Sequence, residues 1–289
     1  MFIDTFPFNR DFRALKIRLA EIGEFADLIV ISESPLTHSG KIKPLYLSEN
    51  PESLGRFREK IQIVGPQKRE LATNNPRLRE MIQRQAISKY LAQIELNSDD
   101  FIFHSDCDEI PRLLALERIV GSGNKGNYIF ELRNFANALN LEDGTWKRGR
   151  LVSFDYYRDI QQLRKDIFLN DVFEKRKLRF GVFRVPDFWT RRQRFINFPS
   201  FERAPEMEMV QDAGWHFNNL LEPSEVLEKI QNSSHTEWNT REVRELALKR
   251  FLEGKDIYNG KPFKKVAIDK SYPETIYSNV SEWQPFIRI

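Results

Sequence analysis

The fold is indicated best by one stretch, Phe101-Ile-Phe-His-Ser-Asp-Cys-Asp-Glu-Ile-Pro-Arg112. An apolar run stops here, and three carboxylates follow within four residues: Asp106, Asp108 and Glu109. We therefore expect a buried strand that delivers these side chains to the carboxyl edge of a sheet, where open α/β sheets bind ligands. Pro111 is expected in the first turn of a following helix, where no backbone N–H is needed.

The spacing of Asp106 and Asp108 indicates a cation site. Side chains two residues apart lie on one face of an extended chain. Two hard oxygen donors on one face suit Mg²⁺ or Mn²⁺ held jointly with the phosphates of a substrate. The alternative for a bare Asp-x-Asp is a solvated acidic turn. Cys107, between these acids, is not expected to act as a nucleophile, because negative neighbours raise a thiol pKa.

Composition limits the class of protein. The 289 residues are 40% hydrophobic and include 23 Phe, which is ample for a packed core. With 45 basic and 42 acidic residues the net charge is +3, too balanced to indicate a nucleic-acid partner. The single cysteine excludes intramolecular disulfides and fits a reducing compartment. No apolar run approaches the roughly 20 residues of a membrane span, and no signal peptide precedes the first predicted strand, so we expect a cytoplasmic protein.

Strand and helix patterns alternate over the first 135 residues. This alternation predicts an α/β fold with a mostly parallel central sheet flanked by helices. Strands are predicted at 2–9, 28–33, 60–64, 101–105 and 127–132, and helices from residue 11, over 76–95 and over 113–120. In the helix over 76–95, the inward side chains are expected to be Leu78, Met81, Ile82, Ala86, Leu91 and Ile94.

The pattern is looser in the C-terminal half. Strand-like pieces at 151–157 and 178–185 are separated by charged chain, and the stretch 158–194 carries 11 basic and 5 acidic residues. That stretch is either a solvated face or a contact for a diphosphate, an anionic acceptor or a membrane surface. Helices are predicted at 223–231 and 240–254, capped by Ser224 and Thr240, and an aromatic tail from residue 262 should pack back. Without a linker we expect one domain over 1–289, with a nucleotide-binding half over about 1–135 and an acceptor-side half over about 136–289.

Three more segments could carry chemistry. Asp212-Ala-Gly-Trp-His-Phe217 places an acid near His216, which is either a core histidine or a ligand that completes an octahedral site with the acidic turn. The segment 234–239, with Glu237, is polar and aromatic, but it could equally be helix capping. The loop 34–45 after Glu33 is either an ordinary surface loop or a lip over the substrate, with Lys41 or Lys43 near an anionic group.

Several segments together, in order over about residues 4–240, resemble glycosyltransferase family 17. They are Asp4-Thr-Phe-Pro-Phe-Asn9 with Leu15, Arg18 and Leu19; Ile29-Val-Ile-Ser-Glu33 with Thr37, Ser39-Gly-Lys41 and Lys43-Pro-Leu45; Ser105-Asp-Cys-Asp-Glu-Ile-Pro111; and Gly214-Trp-His-Phe217 with Ser233-Ser-His-Thr-Glu-Trp-Asn239. The resemblance implies a GT-A-like fold, Mn²⁺ or Mg²⁺, a UDP-sugar donor (UDP-GlcNAc), a carbohydrate acceptor, and inversion at the anomeric carbon. The family's glycoprotein-modifying member carries a Golgi anchor and stem that are not seen here, so we expect a bacterial or viral enzyme that builds a surface glycan.

These expectations assign roles to individual residues. Asp108 is the first choice for a metal ligand. Asp106 is expected either to assist Asp108 at the metal or to bind the ribose, and His216 is expected as a metal ligand from the second half of the domain. The nucleotide pocket is expected to include Phe6, Glu33 and Arg84. An inverting transfer needs a base for the acceptor hydroxyl, for which Asp212 is preferred, with Glu237 and Glu109 as rivals. Two alternatives stay open: a metal-dependent phosphoryl-transfer enzyme or nuclease that uses the same carboxylates, and a non-catalytic carbohydrate- or nucleic-acid-binding module.

Overall fold

The structure is a computed structural model that describes residues 1–161, 163 and 207–288. The predicted strand at 178–185 and most of the basic stretch 158–194 lie outside the described residues. The first part contains β1 Phe2–Phe8, α1 Phe12–Ile22, β2 Leu28–Glu33, α2 Tyr46–Glu49, β3 Ile61–Val64, α3 Pro76–Leu91, β4 Phe101–His104, β5 Glu109–Pro111, α4 Leu113–Ser122, β6 Asn127–Ala136 and β7 Leu141–Ser153. The second contains β8 Glu208–Val210, β9 Gly214–Asn218, α5 Val226–Asn232, α6 Arg241–Leu252, β10 Lys264–Lys265 and α7 Glu274–Tyr277.

The described strands form one sheet. Its order is β3-β2-β1-β4-β7-β6-β9-β5, with β10 paired to β7 and β8 paired to β6. Strands β1 to β4 pair in parallel with one another, as β6 does with β8 and β9, whereas β7 runs antiparallel to β4 and β6. Helices pack on the sheet and supply its buried apolar contacts. The predicted α/β fold with a mostly parallel central sheet flanked by helices is confirmed.

Helix α1 shows why the N-terminal half folds as predicted. The side chain of Asp11 accepts a hydrogen bond from the backbone N of Ala14 and so caps the helix. Leu15 and Leu19 recur at helical spacing on the buried face and join the main core under β1 and β2. The carboxyl end of β1 therefore leads directly into a fixed helix N-terminus.

The aromatic tail packs back onto the sheet, as predicted. Tyr272 and Trp283 are buried in a cluster with Phe135 of β6 and Phe217 of β9. The ring of Tyr272 lies 5.1 Å from that of Phe135, and its hydroxyl donates to the carbonyl of Leu139. In the described part of the chain, no helix is both long and apolar enough to cross a membrane.

Two helix predictions need correction. Helix α3 ends at Leu91, and its buried face carries Gln83, Arg84 and Ile87, whereas Leu78 and Met81 are only half-buried. Polar side chains are inward here because they satisfy other groups: the amide of Gln83 donates to the carbonyls of Phe8 and Ser32 at the ends of β1 and β2. Helix α5 is preceded by a capping box of Glu222 and Glu225, not by a Ser224 cap, while Thr240 caps α6 as predicted.

Pro111 does not begin a helix. It is the last residue of β5, which pairs antiparallel with β9 through Glu109–His216 and Ile110–Trp215, and α4 begins only at Leu113. Strand β7 also extends much further than the predicted piece at 151–157, since it starts at Leu141 and ends at Ser153. The first difference comes from pairing with β9, about a hundred residues further along the chain, and the second from the hairpin that β7 forms with β6.

Candidate functional site

The acidic residues of the opening stretch lie in a tight turn between β4 and β5. The backbone N of Glu109 donates to the carbonyl of Asp106 at 3.0 Å, so this segment is turned rather than extended. The prediction that Asp106 and Asp108 share a face of extended chain is wrong. Both side chains nevertheless line the same cleft, because the turn curls over the edge of the sheet.

The turn is held from below by Arg18 of α1, whose side chain is fully buried. Its guanidinium makes a two-pronged pair with Asp4, Nε–Oδ2 2.8 Å and Nη2–Oδ1 2.5 Å. Its Nη1 donates to Ser105 Oγ at 2.9 Å and to the carbonyls of Asp106 and Glu109 at 3.0 and 2.9 Å. A planar donor with five N–H groups can fix a strand, a helix and a turn at once.

Asp106 belongs to a chain of charges on one wall of the cleft. Arg84 Nη2 lies 2.6 Å from Asp106 Oδ1, and Arg84 Nη1 lies 2.6 Å from Glu80 Oε1. Burial opposes the charge on Arg84, but the two carboxylates outweigh it and raise the pKa of Arg84. Burial likewise opposes ionisation of Glu80, and Arg84 reverses this and lowers the pKa of Glu80. Arg84 and Glu80 are therefore both charged near neutral pH.

Asp108 faces His216 from β9. Its Oδ2 lies 3.6 Å from His216 Nε2, and the histidine ring stacks on Trp146 at 4.7 Å between centroids. Burial would lower the pKa of His216, but the charge of Asp108 prevails and raises it, while His216 overcomes the burial of Asp108 and lowers the carboxyl pKa. The other ring nitrogen, Nδ1, is buried and has no hydrogen-bond partner among the described residues.

Gly214 allows β9 to bring His216 to this position. Its φ is +147°, and a Cβ at this residue would lie 2.1 Å from the carbonyl oxygen of Ile110. Only glycine fits where β9 comes so close to β5. The spacing of two residues between Gly214 and His216 then places the imidazole opposite Glu109 in the strand register and next to the preceding Asp108.

The turn, α1, the loop 34–45, α3 and α5 surround a cleft of about 650 Å³. Charged and aromatic side chains dominate its walls. The cations are Arg10, Arg13, Lys41, Lys43, Arg84 and Lys229; the acids are Asp11, Glu80, Asp106, Asp108, Glu225 and Glu228; the aromatic rings include Phe8, Tyr46, Trp146 and Tyr258.

The donor set at the turn fits a hard cation only in part. Across the described ranges, no cluster of three or more His, Cys, Asp or Glu side chains forms a complete metal centre. Asp108 and His216 face each other across 3.6 Å, beyond hydrogen-bond distance, and Asp106 lies on the same turn. These groups could hold one divalent cation if a ligand supplied further oxygens, which is the usual arrangement for Mg²⁺ with phosphates.

Two residues predicted for the nucleotide pocket lie elsewhere. Phe6 is buried beneath the guanidinium of Arg18, 4.4 Å from its ring centroid. Glu33 is buried and accepts hydrogen bonds from the backbone N of Leu47 and Ser48 at the start of α2. Neither lines the cleft, whereas Arg84 does. The first two side chains stabilise the elements around the cleft.

The three predicted bases also lie off the cleft. The side chain of Asp212 is 71% exposed and pairs with Arg112 at 3.0 Å. Glu109 is buried and accepts hydrogen bonds from the backbone N of Asp106 and from Trp146 Nε1. Glu237 is paired at the surface with His235 and Arg77, and the hydrogen bond from His235 lowers its pKa to about 2.

Sequence reasoning missed four cleft residues: Asp11, Glu80, Trp146 and Lys229. Burial and repulsion by Asp108 raise the pKa of Asp11 to about 6. Asp11 follows β1 at the same edge of the sheet as the acidic turn, and this position could have indicated a cleft residue. The sequence pattern around it predicts only the start of a helix. Nothing in the local sequence of Lys229 or Trp146 distinguishes either residue from an ordinary surface residue.

The chain was compared with known proteins. No curated protein matches it. Among solved structures, one match is 4-diphosphocytidyl-2C-methyl-D-erythritol synthase from Anaerococcus prevotii DSM 20548, with 11% identity and a TM-score of 0.34 over 73% of this chain and 88% of that one. The model of glycosyltransferase family 17 matches residues 1–168, a segment that includes the acidic turn, Arg18 and Arg84. Because this match spans more than half of the 289 residues, the chain belongs to glycosyltransferase family 17.

Proposed function

We propose that this glycosyltransferase transfers GlcNAc from UDP-GlcNAc to a hydroxyl of a glycan acceptor, with inversion and with a divalent cation. The observation that carries the proposal is the cleft itself, where Asp106 and Asp108 share the walls with six cationic side chains. Acids that bind a cation beside cations that bind phosphate suit a nucleotide diphosphate donor. Family membership favours this reading over a phosphoryl-transfer enzyme or a non-catalytic binding module.

Asp108 and His216 are the residues that would hold Mn²⁺ or Mg²⁺, with Asp106 beside them. When bound, the cation would neutralise negative charge on the departing diphosphate. Arg84 pairs with Asp106 through a 2.6 Å contact and so holds its carboxylate at the wall of the cleft. Lys229 also lines the cleft, and the charges of Asp108 and Asp11 raise its pKa despite partial desolvation, so it remains cationic.

We place the catalytic base at Asp11 rather than at Asp212. Asp11 lines the cleft, and its carboxyl is held by the hydrogen bond from Ala14 N at 3.2 Å. A pKa of about 6 suits a base that works near neutral pH. It would accept the proton of the acceptor hydroxyl as that oxygen attacks the anomeric carbon and the bond to the diphosphate breaks.

Calorimetry tests the donor and the metal together. We expect wild-type protein to bind UDP much more tightly with Mn²⁺ than without it, and Asp108→Asn to abolish this gain. Mass spectrometry with a panel of UDP-sugars then identifies the sugar that is transferred. UDP binding that ignores Mn²⁺ and survives Asp108→Asn would overturn the metal-dependent part of the proposal.

Kinetics test the base. Asp11→Asn should lower kcat by about 10²- to 10⁴-fold with little change in UDP affinity, because a base acts on a proton that moves only in the transition state. Asp212→Asn is the matched control, and it should retain kcat. The opposite result, with Asp11→Asn active and Asp212→Asn inactive, would return the base to the segment predicted from the sequence.

A further inference from the structure

Lys43 differs from the other buried cation of the cleft. Its residue is only 8% exposed, and its Nζ is buried with no hydrogen-bond partner in the described part of the chain. Arg84, also buried, is paired on both sides by Glu80 and Asp106. Buried ammonium groups are nearly always hydrogen-bonded or paired. An ammonium without an acceptor in a ligand cleft therefore needs an explanation.

Among the described residues, no carboxylate is hydrogen-bonded to Lys43. Its Nζ lies 4.9 Å from the ring centroid of Tyr46, a contact that supports a cation but accepts no hydrogen bond in the ordinary sense. Glu33 is the nearest carboxylate that acts on its charge, but that carboxylate is already occupied by Leu47 and Ser48. Burial dominates and lowers the pKa of Lys43 to about 8, with Glu33 opposing the change, so the side chain is still largely charged at pH 7.

The loop around Lys43 is built rigidly, so this burial is not an accident of a loose segment. The backbone N of Lys43 donates to the carbonyl of Pro35 at 3.0 Å, and Leu36 and Ile42 form a β-bridge. Across the same loop, Thr37 N donates to the carbonyl of Lys41 at 2.8 Å. The loop therefore holds Lys43 in a fixed place at the wall of the cleft, so little ordering would be needed to bind a ligand.

We propose that Lys43 binds a phosphate-class oxyanion inside the cleft. The oxygens of this ligand would supply the hydrogen-bond acceptor that the ammonium lacks. This inference rests on the proposed function only for the source of the anion, which is either the diphosphate of the donor or a phosphate on the acceptor. Lys43 has its own readout in either case, because its ammonium has no hydrogen-bond partner among the described residues.

The test compares Lys43→Met, a similar shape without charge, with Lys265→Met, which removes one exposed lysine of β10 outside the cleft. Calorimetry uses three probes: inorganic pyrophosphate, UDP and uridine. We expect Lys43→Met to weaken pyrophosphate and UDP by about 10-fold or more while uridine is unchanged, since a charge-assisted hydrogen bond is lost. Lys265→Met should match wild type, and Lys43→Arg should recover part of the affinity.

Two other results would show where the anion comes from and whether Lys43 binds it. If UDP and pyrophosphate are unaffected but the KM of the acceptor rises about 10-fold, the anion is on the acceptor and the site stands. If affinity and KM both stay within about twofold, or if Lys43→Met lowers the melting temperature of the unliganded protein, Lys43 is a packing residue on Tyr46 and the inference is overturned.

The same experiment separates this inference from the proposed function. Wild-type protein that binds pyrophosphate in a Lys43-dependent way but does not bind UDP would keep the anion site and remove the UDP donor. If wild-type protein binds UDP with Mn²⁺ and the Lys43→Met variant transfers sugar equally well, the proposed function stands and the anion site is refuted.

Discussion

The buried ion pair of Arg18 and Asp4 gives the strongest prediction about stability. Replacing Arg18 with Met removes the partner of a carboxylate that is 0% exposed, and it removes the donors that Nη1 directs to Ser105 and to the carbonyls of Asp106 and Glu109. Because those carbonyls belong to the acidic turn, the change should loosen the turn as well as the core.

The magnitude follows from what remains after the substitution. Asp4 would stay buried without a counter-charge, and breaking a buried pair in this way costs about 3–5 kcal/mol. The single hydroxyl hydrogen of Ser105 can still serve one of the two turn carbonyls, so the lost donors of Arg18 should add less than the uncompensated charge. Since domains of this kind are stable by about 5–15 kcal/mol in total, the loss would be a large fraction of the free energy of unfolding.

Urea denaturation followed by circular dichroism measures this change. Arg241→Ala is the control, because Arg241 pairs with Glu245 at the surface of α6 and is 88% exposed, so its loss should cost less than about 1 kcal/mol. The double variant Asp4→Leu with Arg18→Met should recover much of the loss, since it removes both charges.

A small effect would refute the reasoning. If Arg18→Met costs less than about 1 kcal/mol, or if the double variant is no more stable than the single one, the uncompensated carboxylate is not the source of the penalty. In that case Asp4 is either protonated or hydrated after the substitution, and the acidic turn is held by its own hydrogen bonds.

Three more predictions concern single substitutions. The pKa of Lys43 is about 8 in the folded state against 10.5 in the unfolded state. Its charge therefore lowers the free energy of unfolding by up to about 3 kcal/mol below pH 8, and this penalty fades as the pH rises toward 10.5. Lys43→Met should raise the melting temperature at pH 7 and raise it much less at pH 10. Gly214→Ala should cost more than about 2 kcal/mol, because its Cβ would overlap the carbonyl of Ile110, whereas Gly121→Ala in α4 meets open space and should be neutral or slightly stabilising. Cys107→Ser should cost about 1 kcal/mol and keep turnover, because the thiol is buried and burial raises its pKa far from a reactive range; a large loss of turnover would show that the sulfur takes part in the site.

Local patterns were enough for the N-terminal elements. Strands β1, β2 and β4 are β-branched or aromatic runs between helices with clear apolar spacing, so their order and parallel pairing follow from chain connectivity. The same reasoning placed the acidic turn at the carboxyl edge. It failed for the inward face of α3, because Gln83 and Arg84 are buried to satisfy backbone and carboxylate groups, which an apolar pattern does not reveal.

The assembly of the site could be predicted only in part. His216 was recognised from its motif, but its approach to Asp108 depends on β9 entering the sheet between β6 and β5, a pairing between segments about a hundred residues apart. Loop closure over such distances is decided by tertiary packing rather than by local propensity. For the same reason Asp212 seemed close to the site, although the tight turn before Gly214 directs its side chain to Arg112 at the surface.

The position of β9 has a consequence for the limits of an autonomously folding fragment. The family model ends at residue 168, yet β5 has its described strand partner only in β9, and β6 is covered on one side by β8 and β9. A fragment cut at that limit would expose two unpaired strand edges, and we expect it to aggregate or be degraded. The segment matched by the family model is therefore not a cooperative folding unit. A fragment designed to fold on its own must keep residues 207–218 together with the N-terminal half.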